Sequence, residues 1–175
     1  MIVDVSEIIS NEDKEMSKNV EIDFTSFDAG LGEFPVLGKA PFTLTVANIG
    51  NRRLTVTGET EVTIALNCDR CLKEVPVGFA IEISKEIDLK KYLAGDPEEL
   101  CDTNYMIGTD LDVDKLIFGE ILVSWPMKVL CREDCKGICK RCGADLNLAP
   151  CQCQRTEPDP RMAAIQDIFN QFKEV

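Results

Sequence analysis

The sequence predicts an α+β fold: an antiparallel β-rich core, either a sheet or a partly open barrel, with a long acidic loop, two helices and a C-terminal cysteine-rich knuckle. Three observations predict it. Apolar and polar residues alternate on both sides of the tetrapeptide Cys68-Asp69-Arg70-Cys71. An apolar stripe at helical spacing begins at Val113. Eight of the nine cysteines fall in four close pairs.

The strands come first. Phe42, Leu44 and Val46 alternate with Thr43 and Thr45, which is the period of a half-buried strand. Leu54, Val56, Val62, Ile64 and Leu66 then occupy even positions, with Thr55, Thr57, Glu59, Glu61 and Thr63 on odd ones. Gly58 interrupts this run and predicts a bend or bulge. Beyond the tetrapeptide the parity switches, with Val75, Val77, Phe79, Ile81 and Ile83 all odd. Two long strands joined there make a hairpin with Cys68 and Cys71 at its tip. In residues 1–40 little is legible: Glu21-Ile22-Asp23-Phe24 alternates weakly, and the glycines at 30 and 32 mark a turn.

Between residues 85 and 110 the alternation dissolves into Asp88, Asp96, Glu98, Glu99, Asp102 and Asp110 around Gly95 and Pro97, which predicts a long acidic loop. Cys101 lies in it without a near partner, as a free thiol. A helix comes next, capped by Asp110 or Asp112, with Asp114 complementing its N-terminal dipole. Val113, Leu116, Ile117 and Ile121 share one face, and Pro126 ends it. Residues 127–130 read as one more short strand. Asp159-Pro160 opens a final helix whose stripe is Ile165, Ile168, Phe169 and Phe172. The chain thus divides into a β-rich domain over 1–130 and a knuckle with its helix over 131–175.

The cysteines carry the chemistry. The pairs are Cys68-x2-Cys71, Cys131-x3-Cys135, Cys139-x2-Cys142 and Cys151-x-Cys153, and the sequence contains no histidine. Disulfides need an oxidising compartment, and the acidic N-terminus predicts no export signal. Clustered thiols in a reducing cytoplasm are metal ligands. Short spacings let intervening amides donate to both sulfurs, and Gly143 eases the turn after Cys142. Eight thiolates suffice for two tetrahedral zinc sites, so one or two structural zinc ions per chain are expected. Cys139, Cys142, Cys151 and Cys153 can close a site locally, with residues 143–150 as its loop. Cys68 and Cys71 need distant ligands, for which Cys131 and Cys135 are available; other connectivities, or one site with spare thiols, stay open. The rival cofactor is an iron–sulfur cluster on Cys135-x3-Cys139-x2-Cys142, which would make the chain a redox carrier.

Composition points away from catalysis and from membranes. With 45% hydrophobic and 29% charged residues, the chain can build a core, yet no apolar run is long enough to span a bilayer. Without histidine it lacks the usual general base and nucleophile activator, so a non-enzymatic cytoplasmic protein with no small-molecule substrate is expected. The net charge of −12 is uneven: residues 128–155 hold six basic and three acidic side chains, against 13 basic and 28 acidic elsewhere. The acidic part repels phosphates and attracts basic proteins. A small zinc module binding RNA alone is a further reading, but no aromatic lies between Cys131 and Cys153 for base stacking.

The segment from Cys131 through Cys135-Lys136-Gly137-Ile138-Cys139-Lys140-Arg141-Cys142-Gly143-Ala144-Asp145-Leu146-Asn147 closely resembles the YceD family, the large ribosomal RNA subunit accumulation proteins. So do Cys151-Gln152-Cys153, the Asp159-Pro160-Arg161 helix start and Cys68-Asp69-Arg70-Cys71-Leu72. The resemblance implies a non-enzymatic part in accumulating 23S RNA and the large subunit, through binding a basic ribosomal protein or pre-50S rRNA. Family members differ in their cysteines, which implies that zinc is a structural accessory.

Overall fold

The computed structural model of the chain describes residues 1–30, 32–50, 52–153 and Ile165. In chain order the elements are β1 (Ile2–Asp4), α1 (Ser6–Ser10), β2 (Glu15–Val20), β3 (Ser26–Asp28), β4 (Glu33–Lys39), β5 (Phe42–Asn48), β6 (Arg53–Asn67) and β7 (Glu74–Asp88). Then come α2 (Leu89–Ala94), α3 (Pro97–Asp102), β8 (Met106–Ile107), β9 (Asp110–Asp112) and α4 (Val113–Val123). No helix among the described residues is long and apolar enough to cross a membrane.

The β6–β7 hairpin is the spine. Its register runs unbroken from Arg53↔Asp88 to Asn67↔Glu74. The other edge of β6 is shared end to end, Leu54–Gly58 with β5 and Val62–Ile64 with β4. β2 extends the sheet beyond β5, and β3 beyond β4, all antiparallel. The sheet stays open rather than closing into a barrel, and β1, β9 and β8 form a second, three-stranded sheet.

Gly58 is neither a bulge nor a break in the hairpin. It sits where β6 changes neighbours, and a Cβ there would meet the Thr43 carbonyl oxygen at 3.1 Å and the Phe42 ring at 3.3 Å. Close packing requires this glycine. The register of β4 against β6 shifts between Val36 and Gly38.

Leu54, Val56, Val62, Ile64 and Leu66 of β6 and Phe79, Ile81 and Ile83 of β7 face a core that α4 closes with Val113, Leu116, Ile117 and Ile121. Asp112 caps α4 by accepting from the Lys115 N–H. Asp114 does more than complement the dipole, since it accepts from the Asp23 N–H and pairs with the Met1 ammonium. After α4, Trp125 stacks on Phe27 at 5.3 Å and on Phe79 at 5.8 Å, pinning the departing chain against the hairpin.

Three expectations need correction. Residues 85–110 are not a loop: β7 runs to Asp88, and the acids cap the two short helices beyond it. Asp88 accepts from the N–H groups of Lys90 and Lys91 at the start of α2. Asp96 accepts from Glu98 N–H at the start of α3, and Glu99 accepts from Asp88 N–H at 2.9 Å. Acidic residues favour such positions because their oxygens satisfy orphan amide donors. Residues 127–130 form no strand; Val129 only exchanges bonds with Asp69, donating to Oδ2 at 2.7 Å and accepting from its N–H at 2.9 Å. Among the described residues there are four short helices, of which only α4 was expected. The expected C-terminal helix lies outside the described residues, except that Ile165 is helical and exposed.

Candidate metal centres

The hairpin tip builds the first centre. Cys68 N–H donates to the Lys73 carbonyl at 2.8 Å, and Leu72 N–H donates to the Cys68 carbonyl at 2.9 Å. Leu72 takes a left-handed φ of 60°, which turns the chain back into β7 directly after Cys71. The chain leaving Trp125 delivers Cys131 and Cys135 to the same place. Cys68 and Cys135 sulfurs are 3.9 Å apart, and those of Cys71 and Cys131 3.5 Å. All four lie within 4.8 Å of one another. Cys68, Cys71 and Cys135 are buried beside Val75, Leu130 and Ile138, while Cys131 is exposed.

The second centre is local. Gly143, at φ 71°, donates to the Cys139 carbonyl at 2.8 Å, and Cys139 N–H donates to the Ala144 carbonyl at 2.8 Å. A single antiparallel bridge pairs Ile138 with Asp145. The Sγ atoms of Cys139, Cys142, Cys151 and Cys153 again lie within 4.8 Å of one another. Here Cys142 is exposed and the other three half-buried. The spacing Cys135-x3-Cys139-x2-Cys142 is therefore split, with Cys135 in one quartet and the other two in the next. Cys101, on α3, is exposed and in neither.

Each quartet fits one tetrahedral ion. Metal–sulfur bonds of about 2.3 Å set neighbouring sulfurs about 3.8 Å apart, close to the separations seen. A multi-iron cluster would need its thiolates splayed around an inorganic core.

The electrostatics fit as well. Burial opposes ionisation of Cys68, but N–H groups of Arg70, Cys131 and Cys71 outweigh it and hold this thiol at about 6. N–H groups of Cys142 and Arg141 bring Cys139 to about 6. Opposite them, contact with the Cys71 sulfur and then burial push Cys131 up to about 12. The Cys142 sulfur and burial do the same to Cys153. Four crowded thiols cannot all ionise unaided; a divalent cation removes that conflict.

Several residues beyond the cysteines hold the centres, and sequence reasoning did not single them out. Gly137, at φ 75°, lies against the tip so that Ile138 N–H donates to the Arg70 carbonyl at 3.0 Å. The Arg70 guanidinium returns a bond to the Cys135 carbonyl at 2.7 Å. Lys73, beside β7, pairs with Asp145 at 2.7 Å. That ion pair first, and then the Asn147 N–H, hold Asp145 at about 2. Asn147 donates from Nδ2 to the Cys135 sulfur at 3.5 Å. The sequence signals were a glycine between two cysteines and an Asp-x-Asn turn, both too common to point to a metal centre.

Away from the quartets, the sheet face has shallow, open hollows lined by Thr43, Thr45, Thr57, Glu59, Glu82 and Ser84.

The family model described as the large ribosomal RNA subunit accumulation protein YceD matches residues 56–169, which span both cysteine quartets. The uncharacterized protein YlbN of Bacillus subtilis is 29% identical over 69% of this chain and 66% of its own length. A chloroplastic large ribosomal RNA subunit accumulation protein YCED homolog of Arabidopsis thaliana is 24% identical over 70% of this chain and 46% of its own. An uncharacterized Mycobacterium tuberculosis protein is 23% identical over 65% and 55%. The matched region thus spans about half to two thirds of these relatives. No solved structure is significantly similar to the chain.

Proposed function

We propose that this chain, which belongs to the YceD family of large ribosomal RNA subunit accumulation proteins, is a non-enzymatic cytoplasmic factor in large-subunit biogenesis. It acts by binding a basic ribosomal protein or pre-50S rRNA, and structural zinc in both cysteine quartets holds its C-terminal segment to the hairpin. The observation that carries the ribosomal role is the family match over residues 56–169. The observation that supports zinc is the pair of four-thiol clusters.

Closed all-thiolate sites leave no open position for a substrate or an activated water, which suits a staple and not a catalyst. Such a staple makes the hairpin tip and residues 131–153 one rigid body.

Of the two partner classes, the charges favour the basic protein. Four thiolates around a divalent ion leave a net charge of roughly −2 per centre, which offsets the basic side chains of residues 128–155. Meanwhile Glu59 and Glu82 face each other in register across β6 and β7, with Glu61 diagonal to them. These three exposed carboxylates have no cationic partner among the described residues. The same open face carries Thr43, Thr45, Thr57 and Ser84, all compatible with a basic polypeptide.

The deciding experiment is an affinity pulldown of the full chain at low and high salt, with and without ribonuclease, identifying proteins and RNA together. A large-subunit protein retained after ribonuclease and lost in salt supports the reading. Capture only through RNA supports the nucleic-acid form. A deletion strain with normal ribosome profiles and normal 23S RNA would remove the ribosomal role.

A further inference from the structure

We propose that Asn147 couples the two cysteine centres, so that filling the local quartet strengthens metal binding by the quartet shared with the hairpin. The proposal rests on the reading that each quartet holds an ion.

Asn147 belongs to one centre by sequence and to the other by contact. It lies on the loop between Cys142 and Cys151, the span that an ion at the local centre closes. Its side chain nevertheless reaches the hairpin-shared centre. Nδ2 donates to the Cys135 sulfur at 3.5 Å and to Asp145 Oδ1 at 2.8 Å. Oδ1 accepts from the Lys136 N–H at 2.8 Å and from the Arg132 guanidinium at 3.0 Å.

This network fixes the orientation of the amide. Two donors, Lys136 N–H and Arg132, face one side and require an oxygen there, so the NH2 group points at the sulfur. An N–H aimed at a thiolate favours the charged, metal-binding form. Groups that orient and polarise a ligand in this way change metal affinity by about 10- to 100-fold. Asn147 N–H also donates to Asp145 Oδ1 at 2.8 Å, and Asp145 pairs with Lys73 on the hairpin, so loop and tip are tied at a second point.

The coupling comes from where this loop gets its order. Residues 143–150 contribute no buried side chain to the core, and Leu148 is exposed. An ion at the local centre supplies the constraint that holds them. With that ion in place, Asn147 stands ready at Cys135; without it, the amide must be ordered when the first centre fills. Linkage makes the effect reciprocal, since an ion at either centre favours the other. Asn147 is thus a positioning residue for Cys135, and touches no ion itself.

The test titrates the reduced, metal-free full chain with Co2+, whose four-thiolate complexes have a distinct charge-transfer and visible spectrum. Cys68→Ser isolates the local centre and Cys139→Ser the hairpin-shared one. Asn147→Asp keeps the oxygen acceptor and replaces the donor with a carboxylate; Asn147→Ala removes both. In the otherwise unchanged chain, either change at Asn147 is expected to weaken the hairpin-shared centre at least about 10-fold. In the Cys68→Ser background, Asn147→Asp leaves cobalt affinity unchanged. In the Cys139→Ser background, the hairpin-shared centre is already weak and Asn147→Asp lowers it little further. Unaltered affinities in Asn147→Asp, or equal weakening of both centres, would overturn the coupling. If the unchanged chain binds no cobalt as tetrathiolate, the metal reading itself falls and the coupling with it.

Discussion

The α-carbon of Gly137 lies so close to the Arg70 carbonyl that a β-carbon added to it would stand 2.6 Å from that oxygen. The contact joins the hairpin tip, carrying Cys68 and Cys71, to the segment carrying Cys135 and Cys139. Arg70 meets that segment through its carbonyl, which accepts from Ile138 N–H, and through its guanidinium, which donates to the Cys135 and Glu133 carbonyls. No side chain can enter without separating the two strands of contact.

Gly137→Ala is therefore expected to destabilise the chain by about 2–4 kcal/mol, combining a backbone clash with a left-handed conformation that alanine resists. The loss should concentrate at the tip. Denaturant titration measures the size, and amide exchange should show residues 131–147 opening while β5 and β6 stay protected. A tolerated alanine with unchanged exchange would contradict the docking described.

Elemental analysis of protein purified without added metal should find close to two zinc ions per chain, and little iron. Cys139→Ser should lower this to one and release residues 143–150, since binding supplies most of that segment's folding energy. The β6–β7 hairpin should survive, because its core is apolar and remote from the local centre. Stoichiometric iron in the unaltered chain would replace zinc with an iron reading of the same quartets.

Changing Glu59, Glu61 and Glu82 together to Gln should weaken capture of a basic partner, mainly through slower association, and reduce its salt dependence. The same change should leave folding intact or improve it slightly. Glu59 directly opposes Glu82, and like charges so placed cost about 0.2–1 kcal/mol. Binding lost while stability is kept would mark this face as functional. Equal binding would send the search elsewhere. Asp96 and Glu99 are poorer choices for such a test, since both hold backbone N–H groups and their loss would loosen α2 and α3.

Tyr105 supplies a pH test of the core. Burial first, then the nearby carboxylates of Glu99, Glu120 and Asp102, push its hydroxyl from 10.0 up to about 12. A raised folded-state value means that the stability tied to the neutral phenol is complete below pH 10 and is lost as pH rises toward 12. Ultraviolet titration should show a tyrosine ionising well above the ordinary range. Tyr105→Phe should flatten the fall in stability over that window. An ordinary titration at Tyr105 would mean that the ring is not buried as described.

Local rules made part of this architecture legible. Period-two alternation identified β5, β6 and β7 and the buried face of each, because a strand with one dry face must alternate. Asp112 and the stripe from Val113 to Ile121 identified α4 and its cap for the same kind of reason. The acids of residues 85–110 misled, because capping residues and loop residues share one composition; only the burial of Leu89 and Tyr92 distinguishes them. The first 40 residues were opaque since β2, β3 and β4 are short or half-exposed strands, whose order comes from the neighbours they pair with.

Strand parity, the α4 cap and the four thiol pairs were legible in the order of residues, because each depends on positions only a few apart. Tertiary structure alone decided which distant pair meets Cys68 and Cys71. That depends on the length of the hairpin and on Trp125 stacking between Phe27 and Phe79, which aims the chain at the tip. It also decided that Gly137 would need to lack a side chain and that Asn147 would serve the centre it does not belong to in sequence. The first arises from a close approach between segments more than 60 residues apart, the second from a side chain that reaches back 12 residues to a sulfur of the other quartet, and no local pattern records either contact.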